Sequence, residues 1–455
     1  MAEGIARFLG QPGRVHLMGI GGVGMAGLAR LLMQAGCTVS GSDAQSNRLT
    51  RQLAAEGVRI FEGHDAQQVF PLPDFAIRTP ALGEGNVEVD RLRAHQIPVF
   101  VRGQVLAAYS HAYRSIAVAG AHGKTTTSSM MASILYETQQ GSGYAVGGET
   151  SLPGRVADRG DGDCLVFEAD ESDGTLVYYA PEVGFLTHVE WDHIERFRSE
   201  DALLACYRRF VGNCERVWIR EGDVLAERVC EGHSKIFRVG ESAQADLQLC
   251  AATSDAMGQN LELKYKGELA TCRLCLPGKH NAWNALMAIA GAAAFGVSVR
   301  EACEALEKFQ GVARRFQKVD KNGVMLIQDY AHHPTEIRAV MASVACLNPA
   351  RLWVVFQPHR FSRTQHLLAD FVDAFAGADA LAMLPVYAAS ELASQGVGSE
   401  LLVQRCREKY DQVEAFADRA TLVKKWAPHF KAGDVVLIVG AGDVEALQSE
   451  FVDVL

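Results

Sequence analysis

The chain lacks an excess of positive charge. Its 44 Lys and Arg stand against 54 Asp and Glu, a formal net charge of -10, which excludes a general attraction to nucleic acid or to an anionic membrane surface. Basic residues that matter must therefore act in local sites, and a small-molecule ligand is favoured. Zinc-type spacing is also missing. The only C-x-x-C is Cys272 and Cys275 in "ELATCRLCLPG", without a second pair or a His-x-x-x-His, so it reads as strand. The eleven cysteines, from Cys37 to Cys406, form no repeated framework, and no signal peptide is evident. A reducing, cytoplasmic setting is the expectation. Neither a tandem repeat nor a low-complexity tract occurs. The longest apolar run, Ala282 to Val299, is broken by Asn284 and rich in small residues; it predicts a buried helix and no membrane insertion.

What is present is the alternation of strand and helix patterns through 455 residues, 48% hydrophobic and 22% charged. That length suggests about three domains, and the alternation suggests parallel sheets with helices on both faces. The expected α/β architecture is a Rossmann-like domain over residues 1–106, a central P-loop ATPase-like sheet over 107–315, and a second Rossmann-like domain over 316–455.

Two glycine loops stand about a hundred residues apart. In "VHLMGIGGVGMAGLARLL" a strand passes into a helix through Gly19, Gly21 and Gly24, the G-x-G-x-x-G spacing that brings a diphosphate against backbone amides at a helix N-terminus. Asp43 ends the next strand, where an acid can hold a ribose. The motif does not say which diphosphate compound binds. The second loop, "GAHGKTT" at Gly120 to Thr126, offers Gly123 for close backbone contact, Lys124 for terminal phosphates and the Thr125 hydroxyl for magnesium. It departs from the standard P-loop pattern at Val118, yet its strand-loop-helix setting predicts an ATP site.

Polar clusters follow apolar strands. "CLVFEADESDG" ends in Glu168, Asp170, Glu171 and Asp173, and "HVEWDHIERF" carries Glu190, Asp192 and His193. Solvated turns are the plainer reading, but carboxylates directly after buried strands suit a hard cation beside phosphates. "PGKHNAWNA" places His280, Asn281 and Asn284 at a helix start, to cap it or to read a base edge. "QDYAHHPTEI" and "FQPHRFSRT" put Asp329, His332, His333, His359, Arg360 and Arg363 at strand ends, where open α/β sheets bind ligands. Surface ion pairing would explain the two arginines; beside a histidine they also suit a carboxylate clamp.

Taken in order, "GIGGVGM", "AGAHGKTTT", "EADESD", "VEWDH", "GKHNAWNA", "GVARRF", "DYAHHPTEI" and "FQPHRFSRT" resemble the Mur ligases, ATP-dependent amide-forming enzymes of peptidoglycan synthesis. The resemblance spans essentially the whole chain. It is greatest to the branch that joins L-alanine to the lactyl carboxylate of UDP-N-acetylmuramate through an acyl phosphate. Ala121 stands where that family usually has threonine, and His188 where asparagine is usual. Other branches use a carbamylated lysine after the D-H pair, and "RFRSEDALLACYRRF" contains none. A sister branch attaches a murein tripeptide to the same UDP-sugar and commonly has tyrosine at the position of Ser172.

The resemblance implies that Gly19, Ile20, Gly21, Gly22, Gly24 and Asp43 bind the UDP-sugar, with no nicotinamide involved. Gly120, Ala121, His122, Gly123, Lys124, Thr125 and Thr126 would bind ATP, with His280 and Asn281 near adenine and Asp329 near ribose. Thr125, Glu168 and His193 would hold Mg2+. Lys124, His193 and Arg315 would serve catalysis, while His332, His359, Arg360 and Arg363 would orient L-alanine. A homodimer stays open at this level. An NAD-dependent oxidoreductase would explain the first loop but would leave Lys124 and the acidic cluster without a task. A nucleotide-regulated binding module differs in not consuming ATP.

Overall fold

The computed structural model describes residues 5, 8, 9, 11–83, 85–194, 196–255, 258–389, 391 and 398–455. Three sheets follow one another along the chain. In the first, β1 (Arg14–Met18), β2 (Thr38–Asp43), β3 (Arg59–Glu62), β4 (Phe75–Arg78) and β5 (Val99–Val101) are all parallel in the order β3-β2-β1-β4-β5. The first glycine loop leaves β1, the central strand, and opens the helix Val23–Gln34.

The second sheet holds β6 (Arg114–Ala119), β7 (Gly143–Ala145), β8 (Ala157–Asp158), β9 (Cys164–Glu168), β10 (Val183–Leu186), β11 (Arg216–Arg220), β12 (Ile236–Gly240), β13 (Leu247–Asp255), β14 (Gly258–Tyr265) and β15 (Glu268–Leu274). Its order is β15-β14-β13-β12-β11-β10-β6-β9-β7-β8. In the parallel triad β9-β6-β10, Val118 faces Glu168 and Ala119 faces Leu186. The P-loop, the acidic motif and the segment leading to Asp192 therefore leave the sheet side by side. To this parallel core the sheet adds antiparallel pieces at both edges: β13, β14 and β15 form a meander, and β8 pairs antiparallel with β7. The turn after β14 explains one hairpin, because Lys266 and Gly267 both take positive φ, 49° and 89°, as tight hairpins require.

The helix Lys124–Glu137 packs on the helix Lys279–Ala294, whose interior from Asn281 to Ala292 is buried. The small residues of the long apolar run serve this contact: a Cβ on Gly291 would meet the Met131 side chain. No described helix is long and apolar enough to cross a membrane. Cys272 is buried in β15 and Cys275 exposed just beyond it.

The third sheet contains β16 (Gln317–Lys321), β17 (Val324–Asp329), β18 (Leu352–Phe356), β19 (Ala380–Met383), β20 (Val413–Ala415) and β21 (Val435–Val439), ordered β16-β17-β21-β18-β19-β20. All are parallel except β16, an antiparallel edge strand. Asp329 ends β17, and the His359 segment follows β18.

Candidate active site

The second glycine loop turns through left-handed backbone at Gly120 (φ 127°) and Gly123 (φ 80°). A Cβ on Gly120 would lie 2.8 Å from the His188 carbonyl oxygen, so only glycine fits there. Lys124 opens the helix and folds back: Nζ donates to the Gly120 carbonyl at 2.7 Å and to both oxygens of Glu171 at 2.9 Å. Burial opposes its charge, but Glu171, Asp170 and Glu168 outweigh this and raise its pKa. The Thr125 hydroxyl donates to Glu168 Oε2 at 2.8 Å. Burial raises the Glu168 pKa, against the pull of Lys124.

Of the residues expected around magnesium, Thr125 and Glu168 meet directly, whereas His193 stands with other acids. Its Nε2 lies 3.4 Å from Glu171 Oε1, and one ligand atom each from Asp170, Glu171 and His193 fall within 4.8 Å of one another. This donor set of carboxylates, hydroxyl and imidazole suits a divalent cation beside phosphates.

A cavity of about 240 Å³ lies between the second and third sheets. His122, Gly123, Thr126, His280, Asn281, Arg315 and Asp329 line it, so most residues expected around ATP share one space. Several have partners already. Asn281 Nδ2 donates to the Pro277 carbonyl at 2.8 Å and its Oδ1 accepts from Asn284 at 3.2 Å. Asp329 accepts from the Phe316 and Ala331 amides, each at 2.8 Å; burial pushes its pKa up to about 6, against Arg315 and these amides. Burial lowers His280 to about 4. The Arg315 guanidinium sits 4.9 Å from the Tyr330 ring centre.

His122 bridges two domains. Nε2 lies 2.6 Å from Glu190 Oε2 and Nδ1 lies 3.2 Å from Glu336 Oε1. Burial works against its charge, but Glu336 and Glu190 prevail and raise it to about 9. His188, the departure from the family pattern, has Nδ1 2.8 Å from Asp223 Oδ2, and its carbonyl accepts from the Ala121 amide at 2.7 Å.

The first loop is tied down within its own domain. Its amides are largely engaged within the protein: Gly19 and Ile20 donate to the Ser42 carbonyl, Gly21 to Asp43 Oδ2 at 2.8 Å, and Gly22 to the Gly19 carbonyl. Ile20 is fully buried in the core, so its side chain cannot touch a ligand. Asp43, expected near a ribose, holds the loop through Oδ2. What stays open to an anion is the first turn of the helix Val23–Gln34, which has no side-chain cap and so presents unpaired amides. A second cavity, about 220 Å³, lies there between the first two sheets, with Gly22, Gly24, Thr79, Arg102, Glu168 and Asp170 in its lining.

In the third domain, His332 meets His359 edge to face, their centres 5.6 Å apart. Burial drives both imidazoles down, His332 to about 4 and His359 to about 3. Arg360 has φ 72° and donates its amide to the Tyr387 carbonyl at 2.8 Å. The expected two-arginine clamp is revised by Arg363: its guanidinium is buried and already holds Asp192 of the central domain, with Nη2 3.1 and 3.0 Å from the two oxygens. Sequence reasoning missed Arg102 and Glu336. The only signal of either was a charged residue next to a strand or histidine motif.

Known proteins resemble this chain domain by domain. Residues 14–114 match the Mur ligase family catalytic domain, 118–292 the Mur ligase middle domain, and 314–442 the Mur ligase glutamate ligase domain. The UDP-N-acetylmuramate L-alanine ligase of Streptomyces coelicolor is 38% identical, covering 100% of both chains; that of Solibacter usitatus is 38% identical over 95% of this chain and 93% of its own. Among solved structures, the UDP-N-acetylmuramate-alanine ligase of Thermotoga maritima superposes with a TM-score of 0.84 at 27% identity, covering 97% of this chain and 98% of that one. The murein peptide ligase of Psychrobacter arcticus shares the fold, with a TM-score of 0.73 at 24% identity over 97% and 99% of the chains. Three domain matches in sequence order and a relative 38% identical along its full length leave one conclusion: the chain belongs to the Mur ligase family.

Proposed function

We propose that this protein joins L-alanine to the lactyl carboxylate of UDP-N-acetylmuramate with cleavage of ATP, in peptidoglycan precursor synthesis. The observation that carries the reading is the shared wall between its two loops. Glu168, which meets the P-loop Thr125 at 2.8 Å, also lines the cavity beneath the first glycine loop. A sugar nucleotide anchored on Gly22 and Gly24 can thus deliver a carboxylate to the terminal phosphate of ATP. Full-length relatives named for the same reaction support it.

A carboxylate needs activation because its oxygen leaves poorly. The γ-phosphoryl group moves to a carboxylate oxygen and ADP departs; the neutral amine of L-alanine attacks the carbonyl carbon, and phosphate leaves with that oxygen as the amine gives up a proton. Lys124 leaves Glu171 to meet the phosphates and offset their charge during transfer. His122, Thr126 and His280 surround the ATP cavity, with Asp329 fixing the chain at its floor. Arg315 reaches the same cavity. Thr125, Glu168, Asp170, Glu171 and His193 would hold magnesium, which when bound would neutralise phosphate charge. His332, His359 and Arg360 remain the candidates for orienting the amino acid, while Arg363 acts by holding Asp192. Contributions from three domains mean that closure assembles the site and keeps water from the acyl phosphate.

The eleven unpaired cysteines fit a reducing cytoplasm. Each protomer carries every residue named here, whether or not two copies associate. The test is phosphate release from ATP with UDP-N-acetylmuramate and, in turn, L-alanine, L-serine, glycine and the murein tripeptide. Highest kcat/KM with L-alanine is expected; preference for the tripeptide would transfer the chain to the recycling branch.

A further inference from the structure

We propose that Arg102 receives the diphosphate of the sugar nucleotide, a role outside both glycine loops; the inference rests on the UDP-sugar reading above. Arg102 opens the helix Arg102–Ser110 directly after β5, at the junction of the first two domains. Gly103 lets that helix lie against the segment Thr175–Tyr178: a Cβ on Gly103 would fall 2.6 Å from the Thr175 Cβ. This contact sets where the guanidinium enters.

The guanidinium lines the cavity under the first loop, beside Gly22 and Gly24. A Cβ on Gly24 would stand 3.0 Å from Arg102 Nη1 and 3.2 Å from Cζ. The third glycine of the motif therefore leaves room for an arginine against the first turn of the helix Val23–Gln34. An uncapped helix N-terminus and a guanidinium fork on one cavity wall form a two-part anion site.

Its donors are available. Among the described residues none makes a hydrogen bond or an ion pair within 4.0 Å with the Arg102 side chain. The nearby acids have other partners: Asp170 accepts from the Ser172 amide and hydroxyl at 3.0 and 2.9 Å, Asp173 from the Thr175 amide and hydroxyl at 2.8 and 2.5 Å, and Glu168 from Thr125 and the Gly147 amide. Burial opposes the Arg102 charge, and Tyr179, Asp170, Asp173 and Glu168 together offset this at longer range without occupying the guanidinium. The diphosphate is favoured over the lactyl carboxylate because Arg102 touches the helix turn beside Gly24.

Calorimetric titration of the full chain and of R102A and R102K with UDP-N-acetylmuramate and UDP, with uridine followed by NMR, tests this. R102A is expected to weaken UDP and UDP-N-acetylmuramate alike, by about 10- to 100-fold, the worth of a charge-assisted contact. Uridine should bind as before. R102K, which keeps the charge and secures folding, should show a smaller loss. Unchanged UDP affinity with weakened UDP-N-acetylmuramate would overturn the proposal by moving Arg102 to the lactyl carboxylate. An equal loss for uridine would overturn it in favour of a structural role. A wild-type chain that binds ATP but no UDP would instead overturn the functional reading itself.

Discussion

Arg363 and Asp192, 171 residues apart, form a buried ion pair between the third and central domains, with Arg363 Nε 3.3 Å and Nη2 3.1 Å from Asp192 Oδ1. Burial opposes the Asp192 charge, yet Arg363 and the neighbouring histidines hold its carboxyl far below the usual range. Removing one partner leaves a buried charge alone, which costs about 3–5 kcal/mol.

R363M and D192N are each expected to lower the melting temperature and to reduce kcat at least about tenfold, the effect of about 1.4 kcal/mol in the barrier. The double variant should lose little beyond either single one, because the two residues act together. Calorimetry and steady-state kinetics on the four proteins check it. UDP affinity, set in the first domain, should not change.

The His122 bridge makes stability depend on pH. Its folded pKa, about 9, exceeds the ordinary histidine value of about 6.5. The protonated form is thus favoured by folding, so the contribution is complete below about pH 6.5 and is lost as pH rises through about 9. H122Q should flatten the fall in melting temperature between these limits. A wild-type profile flat from pH 6.5 to 9.5 would contradict it.

Lys124→Ala is expected to abolish phosphate release while UDP-N-acetylmuramate binding persists, since the first loop lies in another domain. Glu171 is 1% exposed and loses its cation in this variant, so stability should fall by about 3 kcal/mol. Activity and titration calorimetry read the two effects separately. Equal losses of ATP and UDP-sugar affinity would refute the division of labour.

Gly21→Val should raise the KM for the UDP-sugar about tenfold, as loss of one loop contact of about 1.4 kcal/mol would. The added Cβ would stand 2.6 Å from Asn47 Nδ2 and 2.9 Å from Asp43 Oδ2, displacing the side chain that ties down the loop. Asp43→Ala should copy the effect without adding bulk. In both, the KM for ATP is expected to stay near wild type, as kinetics with each substrate varied will show.

Both glycine loops were legible because their cause is local. Gly19, Gly120 and Gly123 carry φ of 80°, 127° and 80°, and a strand followed by such glycines and an apolar helix leaves few alternatives. The meander was harder to see. β14 alternates buried and exposed residues along "NLELKY", but so short a period-two signal does not stand out against long helix-strand alternation.

The sequence alone therefore determined the strand-to-loop-to-helix units, the residues at strand ends and the family likeness, since backbone dihedrals and hydrophobic period act over a few residues. Only the tertiary structure decided which of those residues meet. Arg363 reaches Asp192 and not a free carboxylate, His122 reaches Glu336, and Arg102 lies against Gly24. The third pair joins two elements of the first domain, whereas the first two pairs join elements from different domains. Their partners are selected by how separately formed sheets pack, an arrangement that side-chain shape and desolvation settle over tens of ångströms and that no local spacing encodes.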